Sequence, residues 1–230
     1  MKKITIAILM LLGSFSMASA ELGVKIGGSM NIGVFHATGT DLDASSPSAS
    51  AAGGAATTQE DTATGVAGFS SLFIEKDLAF LPGPFGRFSV GFDLVNEDLS
   101  GESTETRSTL DADNTSTDKT NKVKIAFKDM ATTYVTFNVT EALYVKVGSI
   151  SVDLVTEESL GTGGTYGDEN LSGDMVGIGM QQMFDNGIFL RAEGTLTELD
   201  NPTAQVSGDH TITIKNIEGA SARFSVGKAF

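Results

Sequence analysis

Residues 22–36, Leu22-Gly23-Val24-Lys25-Ile26-Gly27-Gly28-Ser29-Met30-Asn31-Ile32-Gly33-Val34-Phe35-His36, decide the fold. Even positions carry Leu22, Val24, Ile26, Met30, Ile32 and Val34, while Lys25, Ser29 and Asn31 fall on odd ones. Apolar residues recurring at every second position give an extended strand one apolar face; a helix would need recurrence at three and four. Such a run is far longer than the roughly five or six residues usual in a soluble strand. It exceeds the ~9–11 residues with which a tilted strand crosses hydrocarbon.

The alternation returns seven more times. Phe88, Val90, Phe92 and Leu94 form one apolar row, and Val123, Ile125, Phe127, Ala131, Val135, Phe137 and Val139 another. Val176, Ile178 and Met180 follow, then Ile188, Leu190, Ala192 and Leu196, and finally Ala222, Phe224, Val226 and Phe230. Two segments are less regular. Leu143, Val145 and Val147 hold one parity and Ile150, Val152 and Leu154 the other, which a β-bulge near Gly148 would produce. Residues 66–78 contain both Phe69/Phe73 and Leu72/Ile74, so either face could be the apolar one. Asp129, on the apolar parity of its strand, is placed at the outer interface, where a charge costs little.

Eight strands leave seven connections, and these alternate between long (37–65, 96–121, 156–173, 198–211) and short (80–86, 140–142, 185–187). Asn186-Gly187 is a hairpin signal, because type I′ turns need positive φ. The four long links hold eighteen acids against Arg107 and Lys119, a net of −16, while strands and short turns balance. Charge is thus segregated to one end of the fold. Short turns at one end and long loops at the other are the layout of an all-β, eight-stranded antiparallel up-and-down transmembrane barrel. A soluble barrel of lipocalin type would alternate too, with its apolar face inward, but it explains neither this asymmetry nor the terminal Phe230.

Residues 1–20 read as a secretory signal: Lys2 and Lys3, an apolar run over 4–12, then Ala18-Ser19-Ala20. The barrel domain is expected over 21–230, in the outer membrane. The 230 residues carry a formal charge of −14, which excludes general affinity for nucleic-acid phosphates. There is no Cys, hence no disulfide scaffold, thiolate metal site or Cys nucleophile.

With its signal segment, eight alternating strands and terminal Phe230, the chain resembles the small eight-stranded outer-membrane barrels of Gram-negative bacteria, the OmpA/OmpX-like group. The resemblance implies a barrel in the outer membrane and no single activity. It also implies that the last strand, through Phe224, Val226 and Phe230, is read by the barrel-assembly machinery. Lys228 departs from that pattern, and the aromatic girdles depart as well: there is no Trp and only three Tyr. Phe80, Phe85, Phe88, Phe137, Phe184, Phe189 and Phe230 are expected to substitute at the short-turn end.

Strand parity places Lys25, Arg87, Lys124, Lys128, Lys146, Arg191 and Arg223 in the lumen with Glu75, Asp93, Asp153 and Glu193. Such charges must pair, because isolated ones are costly to desolvate. The expected function is structural or surface-interacting, without catalysis, cofactor or metal. Its partners are expected to be outer-membrane lipid and lipopolysaccharide, bridged by divalent cations across the acidic loops. The excess of inward bases, and Gly27, Gly91, Gly177, Gly179 and Gly227 on the inner face, suggest as an alternative an underfilled, mildly cationic pore for small solutes. A third reading pairs His36 and His210 at the rim as a surface hydrolase or acyltransferase, although no nucleophile motif accompanies them. Gly161 to Gly167 lacks the Lys and helix of a phosphate loop. Asp111, Asp113 and Asp118 miss EF-hand spacing. The Ala/Ser/Thr/Gly tract at 44–58 is low in complexity.

Overall fold

The computed structural model describes residues 23–43, 57–110, 116–159, 167–207 and 210–230. The expected signal segment and most of the 44–58 tract lie outside them, as do Asp111, Asp113 and most of the glycine run at 161–167. Ten strand segments follow one another: β1 (Val24–Asp43), β2 (Thr57–Asp77), β3 (Phe88–Val95), β4 (Leu99–Leu110), β5 (Ser116–Asn138), β6 (Leu143–Ser159), β7 (Glu169–Met183), β8 (Ile188–Leu199), β9 (Gln205–Ser207) and β10 (His210–Ala229). They make eight staves, because β3 and β4 run in series along the same edge of β5, and β8 and β9 along the same edge of β10. Every pairing is antiparallel, and β1 closes the barrel on β10 from Lys25↔Ala229 to Asp43↔His210.

The stagger can be read from the register. A path crossing the ladder from Lys25 passes Glu75, Gly91, Tyr134, Gly148, Met175, Thr197 and Gly219, and returns to β1 at Phe35. The return is ten residues beyond the start. Eight staves with a shear of ten tilt by about 40°, the range in which such a small barrel closes around its own side chains.

The wall is apolar outside. Ile26, Met30 (75% exposed), Ile32, Val34, Leu72, Val147, Val176, Ile178, Met180, Leu196, Phe224 and Val226 all point away from the barrel. In water this belt would be a contiguous apolar surface of a size that monomers avoid; against lipid it is the expected outer face. On β2, Phe73 is buried and Leu72 exposed, which settles the facing of residues 66–78.

Two features correct the sequence reading. β6 has no bulge at Gly148: even residues Tyr144, Lys146, Ile150, Val152 and Leu154 are buried throughout, and its pairing with β7 is unbroken. The apolar residues Ile150, Val152 and Leu154 therefore fill the interior instead of facing lipid. The bulges lie in β5, between Lys128 and Ala131, and in β10, opposite His36 and Thr38. Asp129 (φ 52°) and Asn216 (φ 54°) take the left-handed conformation there, which Asp and Asn tolerate because a short polar side chain bonds locally. β5 and β10 are the fourth and eighth staves, so the two bulges face each other across the barrel.

Among the described residues, the expected long loops are largely strand. β1, β2, β4, β5, β6 and β10 continue beyond the belt, with Thr38, Thr40, Thr62, Thr64, Thr104, Thr106, Thr109, Thr117 and Thr120 along them. β-branched Thr favours extended backbone while supplying no apolar alternation to mark it. The short-turn ends match expectation: Gly187 has φ 79° in the hairpin after β7, and Phe184 and Ile188 close it through a 2.9 Å backbone hydrogen bond.

Candidate functional site

The interior has two layers. Toward the long-strand end it is apolar: Val152, Leu154, Leu171 and Ile217 pack with Phe127, Met130, Leu199 and Ile214, and Ile150 and Met175 join Tyr134 just below. Phe127 was expected on the lipid side; the β5 bulge inverts parity above it and turns the ring inward.

Toward the short-turn end the lumen is charged. Arg191 on β8 donates from Nη1 and Nη2 to Oε2 and Oε1 of Glu75 on β2, at 2.8 and 2.7 Å. Lys25 bridges Glu75 (3.2 Å) and Asp77 (2.6 Å), and Ser89 donates to Asp77 at 2.7 Å. Lys146 pairs with Glu193 at 2.9 Å, and the Tyr144 hydroxyl donates to the same carboxylate at 2.8 Å. Arg223 pairs with Asp93 and donates through Nε to Ser29 Oγ at 2.8 Å. Aromatic faces complete the solvation of the cations: Arg191 lies over Phe189 (4.9 Å), Tyr144 (5.3 Å) and Phe73 (5.6 Å), and Lys146 over Tyr134 (4.2 Å).

The glycines of the inner face explain how these rings fit. Gly27 is the register partner of Phe73, Gly91 of Tyr134, Gly179 of Tyr144 and Gly227 of Phe189. A Cβ on Gly91 or Gly179 would sit 2.3 Å from a tyrosine ring atom, and one on Gly27 or Gly227 2.6 or 2.5 Å from a phenylalanine ring atom. Each glycine is thus a seat for the ring across from it. The expectation of an underfilled lumen fails here, because glycine's missing volume is taken up by its cross-strand neighbour.

The expected excess of inward bases also disappears. Lys25, Lys146, Arg191 and Arg223 face four carboxylates, Glu75, Asp77, Asp93 and Glu193. Asp77 was missed because it ends its strand, although its odd position in β2 was the available signal. Arg87 sits at the short-turn rim, where its guanidinium donates to the Val139 carbonyl and covers the Phe137 ring. Asp153 lies between buried Val152 and Leu154 and so points outward, where Asn170 donates to it at 2.6 Å. Lys128 is its register partner on the same outer face and lies 3.9 Å from Asp98. The parity switch in β5 turns Lys128 outward, and the absence of a switch in β6 does the same for Asp153. Lys124 is in register with Glu102 and Glu157, above that switch.

His36 pairs in register with Glu218, and His210 with Asp43, seven residues further along β1. That is roughly 20 Å of strand, so the seam does not bring the two together as a rim dyad. Among the described residues, no group of three or more His, Asp or Glu is placed to hold a metal ion. Phe80, Phe85, Phe184 and Phe230 are exposed at the short-turn end as expected, whereas Phe189 is fully buried on its glycine. Lys228, the departure in the last strand, stands 5.8 Å over the ring of Phe230, and the Phe230 amide donates to Val24 O at 2.9 Å.

An apolar outer belt around a polar, self-paired interior defines an eight-stranded transmembrane β-barrel. No protein-family model and no curated protein matches the chain. Solved structures similar to it include the outer membrane protease OmpT from Escherichia coli, at 9% identity over 93% of this chain and 99% of that one, with a TM-score of 0.45. Neisserial surface protein A is similar at 11% identity over 87% and 97%, with a TM-score of 0.33. Ail, the attachment invasion locus protein of Yersinia pestis, is similar at 12% identity over 86% and 99%, with a TM-score of 0.28.

Proposed function

We propose that the chain is exported to the outer membrane and serves there as a closed anchor. Its extended acidic strands stand at the cell surface in a structural or interaction role without catalysis. One observation carries this reading: the lumen is crossed by a charge-balanced, buried ion-pair network and then by an apolar layer. An apolar section of the lumen that is filled by side chains excludes water and so blocks ion passage. Lipopolysaccharide is the expected neighbour of the long-strand end. Asp174, Glu198, Glu218 and His36 are successive register partners just beyond the apolar row Val176, Leu196, Ala220 and Val34. Carboxylates side by side at headgroup height repel one another and attract diffuse divalent cations that anionic lipid also needs. Assembly is assigned to the last strand, where Phe224, Val226 and Phe230 present an apolar row to lipid.

Planar bilayers holding the refolded protein test the anchor. Silence over the usual voltage range is expected; steady single-channel steps that change selectivity on replacing Arg191 and Arg223 with Gln would replace the anchor by a pore.

A further inference from the structure

On the outer wall, four adjacent staves carry two matched rows of side chains. Asp174 on β7, Glu198 on β8, Glu218 on β10 and His36 on β1 are successive register partners. Two residues nearer the short-turn end, Val176, Leu196, Ala220 and Val34 repeat the same path. Both rows line one shallow depression of about 560 Å³. Its low point is Ala220, a single methyl between Leu196 and Val34, which are 60% and 48% exposed. The three carboxylates are exposed, and among the described residues no Lys or Arg forms a salt bridge with them. His36 lies 3.4 Å from Thr64 Oγ1. Like charges set side by side destabilise a sheet, and nothing described within the barrel offsets that cost.

Spacing and charge say what fits. Neighbouring staves lie about 4.8 Å apart, so Asp174 and Glu218 stand about 10 Å apart along the row. On a helix, side chains at i and i+3 or i+4 are about 5–6 Å apart, and those at i and i+7 about 10 Å. Lys or Arg at such positions meets the carboxylates one for one. The apolar row runs about 7 Å below, within reach of the apolar flank of the same helix, whose diameter is about 10–12 Å. A strand does not fit. At this height β7, β8, β10 and β1 are each paired on both edges, and a segment with lipid at its back must satisfy its own backbone hydrogen bonds. Anionic lipopolysaccharide reaches the row only through bridging cations, whereas a cationic helix reaches it directly.

We propose that this depression docks a cationic amphipathic helix of a partner polypeptide, with Lys or Arg on Asp174, Glu198 and Glu218 and an apolar flank on the row beneath them. The site goes beyond the anchor reading and rests on its membrane placement. Divalent cations and the helix compete for the same carboxylates.

The chain contains no Trp, so Val34→Trp in the depression and Val147→Trp on β6, the opposite stave, report without background. Each mature chain is reconstituted in phosphatidylcholine vesicles, its folding verified by the heat-dependent gel shift. It is titrated with an amphipathic Leu/Lys helix of about fourteen residues, ~21 Å long, that carries a nitroxide quencher. The expected result is a quenching midpoint about tenfold lower in peptide at 34 than at 147, as three exposed ion pairs allow. Glu198→Gln/Glu218→Gln should bring the two midpoints within about twofold, and so should about 1 M salt, which shortens the screening length to ~3 Å. Equal midpoints in the chain with its carboxylates intact overturn the site, since lipid alone then holds the peptide. Displacement by a lysine oligomer of equal charge, as effective as by the unlabelled helix, reduces the row to a counterion site and overturns the helix. Without peptide, brominated phosphatidylcholine should quench both reporters. A response that persists at 147 but fades at 34 as the protein-to-lipid ratio rises assigns the depression to a second copy instead. Loss of both responses overturns the membrane reading itself.

Discussion

Arg191 and Glu75, separated by 116 residues in sequence, meet edge to edge inside the barrel through two hydrogen bonds of 2.8 and 2.7 Å. Glu75 is 1% exposed and also accepts from Lys25 and from the Tyr134 hydroxyl. The carboxylate is the hub on which two cations depend.

Glu75→Gln should therefore cost more than one ion pair. Removing one partner from a buried pair costs about 3–5 kcal/mol because the other charge is left uncompensated. Urea unfolding in micelles should show that loss. The double variant Glu75→Gln/Arg191→Met should recover part of it; a double variant no better than the single would mean that Arg191 is satisfied by the aromatic rings alone.

The ring seats make a second test. Gly91→Ala should destabilise by about 1–3 kcal/mol, the usual cost of overpacking, since its Cβ meets the Tyr134 ring. Gly194→Ala, on the lipid-facing parity with nothing within 4 Å of an added Cβ, should change little. Equal costs at the two sites, measured as shifts of the urea midpoint, would show that glycine acts through backbone freedom rather than through the seat.

At the bulges, φ and not side-chain contact should decide tolerance. Asn216→Gly should be nearly neutral, whereas Asn216→Val, a β-branched residue at φ 54°, should lose about 1–2 kcal/mol. Amide exchange in β10 above and below position 216 checks whether the loss is local to the bulge.

Deleting Phe230 removes the amide that donates to Val24 O and half of the Lys228–Phe230 pair. The yield of heat-modifiable barrel, in vesicles and in cells, should fall; an unchanged yield would place the insertion signal in Phe224 and Val226 without the terminal ring.

How much of this was legible follows from what each signal measures. The apolar rows at 24–34, 176–180, 188–196 and 222–230 marked their strands and faces correctly, because a wall between lipid and a polar lumen enforces period two directly. Lys25, Glu75, Asp93, Lys146, Arg191, Glu193 and Arg223 were placed inward by the same parity, and the structure finds each of them there. The extensions of β1, β2, β4 and β5 were illegible as strands because their Thr-, Ser- and acid-rich sequence carries no apolar alternation.

Local pattern was enough for the strand count, the class of barrel, the asymmetry of its ends and most of the residues turned inward. All of these depend on local periodicity and on turn chemistry that a short window contains. The tertiary structure alone decided the shear of ten, the two opposed bulges that invert parity in β5 and β10, and the pairing of Gly91 with Tyr134 and Glu75 with Arg191. These are relations between staves, and a shift of one residue in register leaves every local pattern intact while changing which side chains meet. Whether the lumen is underfilled or closed depended on that register, since the space left by each glycine lies across the ladder from the ring that fills it.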